Sequence, residues 1–276
     1  MTSVVRATLL ATFVFWTGTT MGAVAFAALL QITGAEWPGR LRREAERFRA
    51  ALLVSCFVAP AFVIGMPMWF AWRDAVAIVA IFALSTWFSQ ASAATTPSGS
   101  HDPRVTARAV AFLVVYAVGS GLLAVDLAMS LQPTWRSTLF PGYLSIAGLY
   151  TGIAATVVIS AWRAPESALD EARANDAGSL ILGFALLWMY LVWSQYLVVW
   201  YGNLPPEIDF LLRRMTGVWP MLVWVVIGAR FVAPLAICMP RAGRRRAPLT
   251  VVSIVILAGF WVECLLLVGP SPGTSR

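Results

Sequence analysis

Apolar residues in this chain gather into long, nearly unbroken runs, and short polar stretches separate one run from the next. A hydrocarbon core of roughly 30 Å is crossed by about 20 apolar residues in helical form. Windows of that length recur eight times, at about 7–32, 50–71, 75–93, 109–128, 139–161, 178–200, 217–239 and 249–268. Ten-residue strands of alternating polarity, which build membrane barrels, are absent, so all eight windows are read as helices. The pattern predicts an all-α integral membrane protein, a polytopic bundle of about eight transmembrane helices in which residues 1–276 form a single domain. No connection is long enough to hold a soluble domain. The first run is too long for the apolar region of a signal peptide and no convincing small-residue cleavage site ends it, so it is expected to be retained.

Composition and charge sharpen this reading. Charged residues make up 12% of the chain, about half the share found in soluble domains. All 20 basic residues are arginine, and the net charge of +7 is not a nucleic-acid signal, because the arginines follow topology. The connections after the first, third, fifth and seventh windows hold 13 of them; the other connections and both termini hold 6, and Arg230 lies within a window. The positive-inside rule then places both termini outside, which is the periplasm if the cell is Gram-negative, and the bacterial inner (cytoplasmic) membrane is the expected location. Trp37 to Ala50 is expected to be a cytoplasmic amphipathic helix at the lipid interface, serving as a topology anchor or a docking site. Ala91 to Ser100 reads as a cytoplasmic connector.

Several chemistries are excluded by what the chain lacks. Cys56, Cys238 and Cys264 lie in three different windows, so no CxxC pair, haem attachment site or four-thiolate cluster exists. The one histidine, His101, sits in a loop, where it offers no axial pair for a membrane haem. Neither a glycine-rich phosphate loop, a zinc motif nor a nucleophile elbow is present. The chain is expected to bind no cofactor covalently or by metal ligation. Electrons, if it serves redox chemistry, travel through other subunits.

Polar residues at depth are the candidates for function, because lipid penalises them. Asp126 ends the fourth window, with Tyr116, Gly119 and Leu123 on the same face at helical spacing; it caps the turn, pairs with Arg136, or carries protons. Glu263 lies roughly 9 Å inside the last window by helical rise, and an intramembrane carboxylate reads as a proton or ligand group. Arg230 is about six residues away in depth, near the limit of its reach. Gln195 and Tyr196 come to the same level, where Trp135, Trp193, Trp200, Tyr201 and Trp219 also gather. An aromatic belt is expected there. Together with two acids and an amide, however, it offers what a quinone headgroup uses: stacking surfaces, hydrogen-bond partners and proton acceptors. Pro60 and Pro234 should kink their helices, and the glycines of Gly148 to Gly152 allow close helix contact.

Four segments carry a resemblance. TGAEWPGRLRREAE (Thr33 to Glu46), DLAMSLQPTWRSTLFPGY (Asp126 to Tyr143), WSQYLVVWYGNLPPE (Trp193 to Glu207) and FWVECLLLVGP (Phe260 to Pro270) occur in this order. They resemble blocks of the second quinone-binding, ActF-like membrane subunit of alternative complex III, a bacterial quinol:electron-acceptor (cytochrome c) oxidoreductase of the NrfD/polysulfide-reductase-like family. The family forms of the last three are D-W-L-M-S-L-x-P-H-W-F-S-T-I-F-G-x-Y, F-S-Q-Y-x-L-I-W-Y-x-N-x-P-E-E and R-W-x-D-x-x-L-x-x-x-P. Thr134 stands where the family has His, Leu127 where it has Trp, and Glu263 where it has Asp. The N-terminus is short by comparison, and the turn at Met66 to Asp74 replaces a longer polar connection.

The resemblance implies a cofactor-free membrane subunit of a respiratory quinol-oxidising complex, packed beside a sister NrfD-like subunit. Iron–sulfur and multihaem cytochrome c subunits would lie on its periplasmic side, and quinone or quinol is the candidate ligand. Asp126, Glu263, Gln195, Tyr196, Trp135, Trp200, Tyr201 and Arg230 are the candidate quinone or proton-path residues. The absence of the histidine removes a natural proton acceptor and leaves the carboxylates to carry protons. Two other readings stand beside this one: a stand-alone membrane transporter, which would carry inverted repeats with paired broken helices, and a purely structural scaffold subunit. The purified chain by itself is expected to show neither a haem Soret band nor iron, and an absorption spectrum with metal analysis checks this; either signal overturns the cofactor reading.

Overall fold

Lipid offers the backbone no hydrogen-bond partners, so a chain this apolar must satisfy its amides within helices. The computed structural model describes residues 3–35, 37–63, 68–94, 102–132, 134–163 and 168–271. Among these the regular elements are all helical. They are α1 (Ser3–Ile32), α2 (Arg40–Val63), α3 (Met68–Ala94), α4 (Pro103–Leu127), α5 (Phe140–Arg163), α6 (Glu171–Gly202), α7 (Pro205–Arg214), α8 (Trp219–Ile227), α9 (Ala233–Cys238) and α10 (Arg246–Val268). A π-helical turn, Gly228–Val232, joins α8 to α9, and short 3₁₀ turns follow α4 and α9.

Seven segments are long and apolar enough to cross a membrane, and they coincide with seven of the eight windows. The exception is 50–71. Its helix begins ten residues early, at Arg40, so the charged stretch expected to lie in the interface is the first half of α2 itself. The reason is polar satisfaction. Arg42 donates to Gln31 Oε1 of α1 at 2.5 Å and to Ser92 Oγ of α3 at 2.5 Å, and Ser92 donates to Glu46 Oε1 at 2.5 Å. These bonds hold the segment upright against two neighbours. Burial pushes the Glu46 carboxyl above its usual range, against the opposing effect of Ser92 and Arg42. Further along, Trp16 Nε1 donates to the Ala51 carbonyl at 3.2 Å and Thr17 to Ser55 at 3.0 Å. α2 therefore runs antiparallel to α1 to at least mid-depth, although its composition is too charged to mark it as a span. Residues 64–67, 95–101 and 164–167 lie outside the described residues, and with them His101 and most of the Ala91–Ser100 connector; so do the side chain of Pro60 and the first residues of the Met66–Asp74 turn.

The connections sort to two poles. At one, Arg42 meets the ends of α1 and α3, Arg173 at the start of α6 donates to the Trp37 carbonyl at 3.1 Å, and Arg244 donates to Ser179 at 2.8 Å. At the other, the start of α3 meets the end of α4, and the segment after α4 meets the end of α6. This alternation is the one that arginine placement predicts.

α1 and α5 form the centre, with α2, α3 and α4 to one side and α6, α8, α9 and α10 to the other. Glycine sets their separation. A Cβ on Gly22 would lie 2.1 Å from the Gly148 carbonyl oxygen, and one on Gly152 would lie 2.2 Å from the Ala23 nitrogen. The two backbones touch, as small-residue contacts in membranes allow. Gly152→Ala is expected to force α1 and α5 apart and to cost about 1–3 kcal/mol, the usual range for overpacking. Gly183→Ala, with nothing within 4 Å of the new Cβ, should leave stability unchanged. Thermal or detergent-unfolding midpoints of the two variants check the contrast.

Candidate functional site

Helix geometry explains how Arg230 and Glu263, offset in depth along two helices, come together. Pro234 has no N–H, so in an α-helix the carbonyl four residues before it, that of Arg230, loses its donor. Here the helix opens into the π turn at Gly228–Val232, and Tyr150 Oη of α5 donates to the Arg230 carbonyl at 3.0 Å. The extra residue of a π turn re-aims the side chains around it, and Arg230 points into the bundle, fully buried. Across from it, Gly259 of α10 leaves room for its stem: a Cβ there would sit 2.9 Å from Arg230 Cγ. The guanidinium then travels one turn along α10 to Glu263.

Arg230 Nε lies 2.9 Å from Glu263 Oε2. Its N–H does not point at that oxygen, so the contact is an ion pair without a hydrogen bond. The other guanidinium nitrogens donate to Thr151 Oγ1 at 2.9 Å and to the Ala147 carbonyl at 3.2 Å. The rings of Phe260, Tyr150 and Trp188 surround the cation at 4.7, 5.0 and 5.1 Å. Glu263 Oε1 accepts from Tyr143 Oη and from Trp188 Nε1, the latter at 3.0 Å. Donors from α5 and α6 thus converge on one carboxylate oxygen, and the π turn sets the Arg230 guanidinium beside the other. The centre is enclosed and built from four segments, α5, α6, α10 and the π turn.

Asp126 forms a second centre. It is buried in line with Tyr116, Gly119 and Leu123, on the face that its spacing indicates. Its partner is not Arg136 but Arg73 of α3: Arg73 Nε donates to Oδ2 at 2.9 Å, and a second guanidinium nitrogen donates to Oδ1. The Arg136 guanidinium instead approaches the Trp135 carbonyl at 3.5 Å. Asp74, adjacent to Arg73, is fully buried and interacts with the Asp126 carboxyl.

The other candidates fall elsewhere. Gln195 accepts from Ser137 Oγ at 2.7 Å and ties α6 to the segment after α4. Tyr196 stacks between Trp193 and Trp200 in a ladder on the outward face of α6, and Tyr201 beyond it is 80% exposed. Trp135 is buried and stacks on Phe210 of α7, with centroids 3.8 Å apart. Arg214 lies over the other side of that stack and donates to the Leu266 and Leu267 carbonyls at 3.0 and 2.7 Å, capping α10 just past Glu263. Burial lowers its pKa to about 9, which still leaves it charged at neutral pH. The eight candidates therefore do not share one pocket. Glu263 and Arg230 are joined, Asp126 stands apart with Arg73, and Tyr196, Trp200 and Tyr201 face outward.

α1, α4, α5 and α10 leave a cavity of about 40 Å³, lined by Tyr116, Ser120, Ser145, Leu144, Gly148 and Phe260 among others. That volume suits water and is far below the 300 Å³ or more of ordinary ligand pockets. Arg73, Asp74, Tyr143, Tyr150, Trp188 and Arg214 are the residues that reading along the chain missed. Asp74 and Arg73 could have been found as charges next to a predicted span; the tyrosines and Trp188 carry no local signal, because only packing brings them to Glu263.

Removing one member of a buried ion pair costs about 3–5 kcal/mol, since the other charge stays uncompensated. Arg230→Met and Glu263→Gln should each lose stability on that order, and the double variant should be more stable than the Arg230→Met single. Detergent-unfolding curves check this, and additive losses in the double variant would show that the pair is not coupled.

No protein-family model matches this chain and no curated protein sequence matches it either, so its function has to be read from its own residues and their arrangement.

Proposed function

We propose that this chain is a cofactor-free membrane subunit of a bacterial respiratory complex that oxidises quinol and passes electrons to subunits outside the membrane. In this reading it lies in the inner membrane with both termini in the periplasm, packs beside a sister NrfD-like subunit, and contributes embedded structure, part of a quinone site and a proton path. The observation that carries it is convergence. Of the four resembling segments, three that are far apart in sequence meet at one pole. Ser137 bonds Gln195, joining the second to the third, and Tyr143 bonds Glu263, joining the second to the fourth. A structural scaffold has no need to bury an ion pair, two tyrosines and an indole N–H in one centre inside lipid, where ionisable groups are costly and usually functional.

The parts divide as follows. Glu263 and Arg230 form a fixed electrostatic centre that Tyr143 and Trp188 complete. The small cavity between α1, α4, α5 and α10 is lined in part by Ser120 and Ser145, whose hydroxyls hydrogen-bond to each other at 2.7 Å, and such hydroxyls with water between them are the means by which a proton would cross apolar packing from Asp126 or Glu263. The 40 Å³ cavity is too small for a quinone ring, so the quinone would be shared with the sister subunit, against the outward Trp193–Tyr196–Trp200 ladder of α6.

A mild-detergent pull-down of the tagged chain, with mass spectrometry and a visible spectrum, tests the reading. Multihaem cytochrome c, iron–sulfur and a second NrfD-like protein are expected in the eluate; a lone, colourless chain would point to a stand-alone transporter. In the recovered complex, Tyr143→Phe keeps the ion pair and removes one donor, and it is expected to slow quinol-dependent electron transfer or proton release. Unchanged rates would remove Tyr143 and Glu263 from the proton path.

A further inference from the structure

Asp74 lies in the second turn of α3 with no solvent exposure, and neither of its carboxyl oxygens has a hydrogen-bond donor among the described residues. It faces the carboxyl of Asp126 on α4, itself buried. The charged groups acting on Asp74 are Asp126 from α4 and Arg73 from its own helix. Arg73 is already committed. Its guanidinium binds Asp126 through both oxygens, the bidentate geometry that uses a carboxylate fully.

The charge count therefore does not close. Two buried carboxylates share one cation that serves only one of them, and a buried carboxylate with neither partner nor donor is among the costliest groups a fold can hold. We propose that Asp74 and Asp126 form a binding site for one exchangeable proton, held between them as a carboxyl–carboxylate hydrogen bond. The proton removes the surplus charge and supplies the donor that Asp74 lacks, while Arg73 keeps Asp126 as the accepting carboxylate. The site is not sealed. The Arg73 side chain is 28% exposed, so its movement opens the pair to the nearby membrane surface and lets the proton load and leave. No bond to carbon changes and no electron moves; the step is proton transfer alone.

This inference does not depend on quinol oxidation, because it is read on the isolated chain rather than on a complex. The full-length protein, purified in detergent at neutral pH, is measured by infrared difference spectroscopy. A protonated-carboxyl C=O band is expected in the wild type, shifting in D₂O and again when the protein is labelled with ¹³C-aspartate. Asp74 and Asp126 are the buried aspartates among the described residues, so the label separates this pair from Glu263 without any substitution. Asp74→Asn should abolish the band while keeping the fold, since its amide N–H can donate to Asp126 as the proton does. Absence of the band, failure of the aspartate label to move it, or its removal by sodium chloride but not choline chloride at fixed pH would overturn the proposal, the last by identifying a metal cation as the occupant.

Discussion

A guanidinium with no solvent exposure, set between helices in lipid, imposes conditions on everything around it. Arg230 requires a counter-charge, and Glu263 supplies it at 2.9 Å. It requires acceptors for its remaining N–H groups, and these are Thr151 and the Ala147 carbonyl on α5. It requires room for a long stem, which only a glycine at 259 leaves on α10. It also requires a backbone that turns it inward, and the π turn before Pro234 does so, with Tyr150 satisfying the carbonyl exposed by the break. The conditions are met from α5, α10 and the π turn, and Trp188 of α6 bonds Glu263 and flanks the cation, so the ion pair ties α5, α6, α10 and the π turn into one unit. A buried pair of this kind gives little net stability against an apolar alternative, yet losing one member is costly. The centre consequently enforces one arrangement of helices more than it strengthens the fold.

The central contact of α1 with α5 makes that arrangement reachable. Backbone touching backbone at Gly22, Gly148 and Gly152 brings Ala147 and Thr151 close to the bundle axis, and those two residues are where Arg230 finds its acceptors. At the pole beyond Glu263, Arg214 caps α10 and stacks over Phe210, which in turn lies on Trp135. The short α7 acts as a clasp between the end of the last helix and the segment after α4. Electrostatics and packing reinforce each other here: the cation satisfies open carbonyls at a helix C-terminus, and its aromatic platform fixes the level at which the helix ends.

The two carboxylate centres differ in how completely they are satisfied. Glu263 has donors on one oxygen and an arginine beside the other, so both oxygens are engaged. Asp126 takes the whole of the Arg73 fork and leaves its neighbour Asp74 without a donor, so this site is unsaturated. The bundle thus holds one saturated and one unsaturated acidic centre, and α1, α4, α5 and α10 enclose a small cavity lined partly by hydroxyls.

Seven of the eight windows, their helical nature and the two-pole arrangement of the connections were legible in the sequence, because hydrocarbon thickness sets helix length and arginine placement follows topology. So were Asp126, Glu263 and Arg230 as residues needing partners, since charge at depth is conspicuous by composition alone. Which partner each would take was not legible. Arg136 is nearer Asp126 in sequence, but Arg73 reaches it because α3 and α4 pack antiparallel with the start of one beside the end of the other. The gap in depth between Arg230 and Glu263 is real along straight helices and is closed by a π turn and a glycine on the facing helix. The charged half of α2, which reads as an interfacial helix, stands upright because Gln31 and Ser92 on two other helices accept and return its hydrogen bonds. Membrane crossing is a property each segment has alone, so sequence determines it; the pairing of buried charges depends on helix register and on small departures from ideal helices, and these exist only once the segments have packed.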